Sequence, residues 1–205
     1  MRRWRRLGIR HSSGGTRSWR RRAVELHACI GRAVKGLLQT EEYARAVFRM
    51  WRPLLDGEAI EQGVSARMER QKLFGRRPAP LLSLVIDEHV LRRPLGGREV
   101  WRGELEQLLL YGHQRNVATL IMPMEREEHA GLAGPFTLIH SKNQRRMAHM
   151  EVRDVSALYA EPKKVSPLEA TYGALRADAL TGGRLPHGGP RPVGRVRADG
   201  RARLR

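Results

Sequence analysis

A chain of 205 residues has room for one ordinary domain with tails and for a sizeable core. Its single cysteine, Cys29, excludes an internal disulfide framework and a CxxC-type zinc site, and no apolar run reaches signal-peptide or bilayer-spanning length. The formal net charge of +18 points at first to nucleic acid or an anionic surface, but its placement argues otherwise. Residues 1–22 hold nine arginines and no acid, a charge of +9, and residues 182–205 hold seven arginines and one aspartate, a charge of +6. The stretch between them, 23–181, carries only +3 and reads as an ordinary mixed-charge globular sequence. Arginine outnumbers lysine 34 to 5, which reflects GC-rich coding as much as binding. The expected location is a reducing cytoplasm, with no membrane partner.

In chain order, "MRRWRRLGIRHSSGGTRSWRRR" has no periodicity, and despite Trp4 and Trp19 it reads as a disordered basic tail. "LLQTEEYARAVFRMW" predicts a helix with Thr40 as N-cap, Glu41 and Glu42 in its first turn, and Pro53 as its stop. A second helix, 58–74, carries Ile60, Val64 and Met68 at four-residue spacing. "LLSLVID" is a short buried strand, closed by Asp87, which caps a one-turn helix "EHVLRR". Gly96 and Gly97 turn the chain into "REVWRGELEQLLLYG", a helix with Trp101, Leu105, Leu108 and Leu109 inward. Three further strands are expected in "NVATLIMPM", "PFTLIH" and "MAHMEVR", with a short edge strand in "SALYAEP" and a last helix over 166–180. "TGGRLPHGGPRPVGRVRADGRARLR" is too rich in Gly, Pro and Arg to fold. The order ααβ(α)αβ, a β-meander and a helix implies an α+β domain: a small mixed, mainly antiparallel sheet with packed helices, and disordered basic ends.

"REEHAGLAGPFTLIH" is the stretch that most suggests chemistry. Glu127, Glu128 and His129 offer ligand types for a hard or borderline metal, and Asp87, Glu88 and His89 repeat the pattern at the end of another strand. The two clusters meet only if their strands are neighbours, and short acidic-His runs are more often solvated loops. "GLAGP" is followed by a strand rather than a helix, so it lacks the amide nest of a phosphate loop. Gly131 and Gly134 are read as residues at positive φ, with Pro135 setting the strand entry. There is no GxSxG, and none of the eight histidines has an obvious carboxylate at helical spacing. The expectation is therefore no catalytic residue, no cofactor and no metal. Arg92 and Arg93, with Arg98, form the one basic cluster inside the folded part, suited to an anionic ligand or an acidic partner.

"GLLQTEEYARAV", "ARMERQKLF", "LVIDEHVLRRPLGG", "LEQLLLYGHQRNVATLIMP", "HAGLAGPFTLI" and "LYAEP" together resemble the domain of unknown function that follows an XRE-type helix-turn-helix in regulators of Streptomyces and related actinomycetes. The resemblance covers residues 36–181 and implies a non-enzymatic regulatory domain. It also implies a partner, a very small protein encoded by a neighbouring gene in a toxin–antitoxin-like arrangement. The implied division is a basic, unmatched segment 1–35, a regulatory domain 36–181 and a tail 182–205. Thirty-five residues are too few for a helix-turn-helix, so the DNA reader is expected to be missing through truncation or a mis-set frame. The expected partner or ligand surface is the loop side built from Asp87, Glu88, Arg92, Arg93, His129, Gly131, Gly134 and Phe136. Non-specific nucleic-acid binding by the Arg-rich ends and a small metal-dependent enzyme are the competing readings, and oligomeric state is left open.

Overall fold

The computed structural model describes residues 23–51, 54–152 and 155–181. Its strands are β1 (Ala23–Ile30), β2 (Leu81–Asp87), β3 (Val117–Met122), β4 (Phe136–Ser141), β5 (Arg146–Val152), β6 (Val155–Tyr159) and the two-residue β7 (Leu180–Thr181). Five α-helices are described: α1 (Glu41–Arg49), α2 (Gly57–Gln71), α3 (Glu88–Arg92), α4 (Arg98–Gly112) and α5 (Pro162–Asp178). All strands join one sheet in the order β6-β5-β4-β1-β2-β3-β7. β1–β2 and β2–β3 pair in parallel across helical crossovers, and the other four pairings are antiparallel. The expected α+β class with a mixed, mainly antiparallel sheet is therefore what the chain adopts.

Side-chain alternation divides the core between the two faces of the sheet. Leu26, Ala28 and Ile30 of β1, with Leu82, Leu84 and Ile86 of β2, pack against Tyr43 of α1, Val90 of α3 and Leu108 of α4. Cys29, Val85, Leu120 and Leu138 point the other way, onto Val165, Tyr172 and Leu175 of α5. Local signals set the helix starts. Thr40 Oγ1 accepts from Tyr43 N at 3.2 Å, Asp56 Oδ1 from Ala59 N at 2.7 Å and Asp87 Oδ1 from His89 N at 3.2 Å.

Three expectations need correction. The domain does not begin at residue 36, because β1 is the fourth of seven strands and lies between β2 and β4. Its alternating "AVELHACI" was overshadowed by the arginine run before it. On α4, Leu109 is 67% exposed, whereas Glu104 is 1% exposed and takes the inward position. α5 starts at Pro162, four residues before the expected 166, since proline is tolerated in a first turn. The expectations for 1–22, Pro53 and 182–205 lie outside the described residues.

Candidate functional site

The carboxyl ends of β1 and β2 are where open sheets with parallel strands hold ligands, and two polar regions sit there on opposite faces. On the α5 face, Asp87 ends β2 and receives His89 Nδ1 at 2.7 Å on Oδ1, while His129 Nε2 stands 3.6 Å from Oδ2. The two predicted acidic-His clusters thus do meet, but through Asp87 and His129 alone. Glu127 and Glu128 stay exposed, and among the described residues no group of three His, Cys, Asp or Glu side chains is set to hold a metal ion. His129 Nδ1 accepts the Gly131 amide at 3.2 Å, which leaves Nε2 as the protonated nitrogen facing Asp87.

Gly131 is required here for space rather than for positive φ, which corrects the sequence reading. A Cβ at Gly131 would lie 3.0 Å from His129 Nδ1 and 3.1 Å from Cys29 Sγ, whereas Gly134 does hold a φ of 130°. Cysteine, histidine and aspartate thus gather at one point, but burial, reinforced by the Asp87 charge, pushes the Cys29 thiol up to about 11. At neutral pH it stays protonated, not the thiolate a nucleophile requires.

The remaining predicted residues are placed as follows. Glu88 is buried: Oε1 receives Arg92 Nε at 2.9 Å, and Oε2 receives the Met124 amide at 2.9 Å, tying the β3–β4 loop to α3. Arg93 is exposed. Phe136 is 4% exposed and packs edge-on against Tyr172, with ring centroids 6.4 Å apart, so it belongs to the core. Around this end, Met124 and Leu132 are 54% and 66% exposed.

On the α1–α2 face a cavity of about 530 Å³ opens between the β1–α1 loop, the two helices and strands β4 and β5. Arg32, Lys35, Arg67 and Glu151 line it, with Val47, Met50 and Trp51 as an apolar wall. Phe136 is the one residue of the predicted surface that reaches it. The Arg67 guanidinium lies 4.1 Å from the centroid of the Phe48 ring and donates to Gln39 Oε1. Burial lowers its pKa to about 10, opposed by the Glu151 charge and aided by Arg70, so it remains a cation at neutral pH. Lys35 Nζ donates to Thr137 Oγ1 of β4.

Sequence reasoning missed this cavity, whose residues come from five elements spread along the chain. It also missed the carboxylate partners of the histidines, which arise from strand geometry rather than helical spacing. His27 Nε2 lies 2.7 Å from Glu25 Oε1 two residues away on β1, and the cross-strand neighbour His140 places Nδ1 3.0 Å from Glu25 Oε2. Burial alone would raise the Glu25 pKa, but the hydrogen bonds from His27 and His140 outweigh it and hold the carboxyl below its usual range.

The fold and these two regions define a mixed α+β domain with a cationic cavity and a self-paired Asp–His end. The model of the family described as Domain of unknown function (DUF5753) matches residues 19–184, and the chain belongs to that family. The match includes β1, consistent with a fold that starts before residue 36. No curated protein and no solved structure matches the chain. Among the described residues no helix is long and apolar enough to cross a membrane.

Proposed function

We propose that this chain is the regulatory, partner-sensing domain of a transcriptional regulator of the XRE type, acting in the cytoplasm without catalysis. The resemblance of its motif blocks to actinomycete regulators motivates the class. The observation that carries the surface is the exposed pair Met124 and Leu132, held on rigid supports: Glu88 fixes the Met124 amide, and Leu132 N bonds to His129 O at 3.2 Å. Large exposed apolar side chains on a loop that also carries the exposed charges Glu127 and Glu128 suit a protein-binding patch. The partner is the small protein encoded by the neighbouring gene, and DNA reading belongs to a helix-turn-helix outside this fold.

Co-expression of the full chain with that small protein, followed by size-exclusion chromatography, tests the reading. Wild type is expected to co-elute with it. The double variant Met124→Asp, Leu132→Asp should lose the partner while keeping its thermal midpoint, since both side chains are exposed. If wild type does not retain the partner, the reading is wrong.

The charge concentrated in residues 1–22 and 182–205 favours a second reading, sequence-independent binding of nucleic acid. That binding should fall steeply with salt and disappear when both ends are removed.

A further inference from the structure

We propose that the cavity between the β1–α1 loop, α1, α2 and strands β4–β5 is a binding site for a small organic phosphate, a phosphate monoester carrying an apolar or aromatic body. This goes beyond the partner-sensing reading and does not depend on it. The argument starts from charge. Among the described residues, Arg32, Lys35 and Arg67 line the cavity together with the carboxylate Glu151, a formal excess of two positive charges in a partly enclosed space. A phosphate monoester brings about −1.5 to −2 at neutral pH and matches that excess, whereas a carboxylate brings half as much. The Arg67 fork is already oriented by its stack on Phe48 and its bond to Gln39, so little freedom is lost when it takes an anion.

The walls are also built in advance. Gln39 is buried and its Nε2 holds Val34 O, the Tyr43 hydroxyl accepts the Val34 amide at 3.4 Å, and Gln107 Nε2 holds Leu38 O at 3.1 Å. Lys35 reaches across to Thr137, so the loop carrying two of the cations is tied to both a helix and the sheet. A volume of about 530 Å³ is larger than inorganic phosphate needs and falls in the range of small-molecule sites. The space left beyond the cations is bounded by Val47, Met50 and Trp51, which suits an apolar or flat body.

Titration of the full chain with phenyl phosphate, inorganic phosphate and benzoate, followed by calorimetry and tryptophan fluorescence, tests the assignment. Phenyl phosphate should bind about tenfold more tightly than either of the other two. Its fluorescence change should vanish in Trp51→Phe. Arg67→Gln should weaken binding at least about tenfold. Glu151→Gln should tighten it several-fold, and because Glu151 is exposed this gain is readable even if the Arg67 variant folds poorly.

Absence of phenyl phosphate binding at millimolar concentration overturns the proposal. So does binding indifferent to both Arg67 and Glu151, which would place the anion on the basic ends of the chain. Benzoate binding as tightly as phenyl phosphate would refute the phosphate assignment. Partner co-elution and this titration use different faces of the sheet, so either can fail while the other succeeds.

Discussion

The two polar regions at the carboxyl end of the sheet use similar residue types to opposite ends. On the α5 face, Asp87 lies between His89 and His129, and Glu88 is taken by Arg92 and the Met124 amide, so both carboxylates already have their partners. On the α1–α2 face, three cations share a cavity with a single carboxylate among the described residues. A closed set of charges fixes loops and leaves little to attract a ligand. An unbalanced set inside a preformed cavity retains a field that an anion can satisfy. Acid and histidine in one short run are therefore weak evidence of chemistry until the balance of charge around them is known.

The largest effect is expected behind the cavity. Glu104 Oε2 accepts the Thr40 amide at 2.7 Å at the foot of the β1–α1 loop, and burial pushes its carboxyl up to about 7, opposed by the hydrogen bonds from Thr40. Because the folded pKa is raised above 4.5, the protonated form is the stabilising one. Its contribution is complete below about pH 4.5 and is lost as pH rises through about 7. Glu104→Gln should flatten that window and add up to about 3 kcal/mol above pH 7, read from denaturant unfolding across pH. A wild-type unfolding free energy that is level over this range would show that Glu104 does not titrate there.

A smaller effect tests the closed region. Gly131→Ala places a Cβ against His129 and Cys29, and should cost about 1–3 kcal/mol without altering phenyl phosphate binding. If the variant is as stable as wild type, the Asp87–His129 end is looser than its geometry implies. The smallest change is Asp87→Asn, which keeps an oxygen to cap α3 and removes only the charge shared by the two histidines. A loss of under about 1 kcal/mol is expected, because the capping oxygen is retained. A loss of several kcal/mol would mean that the Asp87 charge itself holds this end together.

Much of the fold is legible in local signals. Thr40 and Asp87 announce helix starts, and "LLSLVID" and "PFTLIH" display short strands. These features depend on neighbours within a turn or on period-two alternation, which a sequence displays directly. The arginine run on the N-terminal side of β1 masks its alternation, and the exposed Leu109 departs from the usual core preference of leucine. Its place went to Glu104, whose partner, the Thr40 amide, lies 64 positions away.

The sequence by itself determined the helix caps, most of the strands, the mixed-charge body and the arginine-rich ends, because each follows from propensity, periodicity or composition. Only the tertiary structure decided which charges close on each other. Register set His140 opposite Glu25 across two strands, and strand order brought β4, the neighbour of β1, to carry Thr137 toward Lys35. The cavity exists because five elements distant in sequence meet at the end of one sheet. Its character comes from an imbalance of charge that arises only when those segments are packed together.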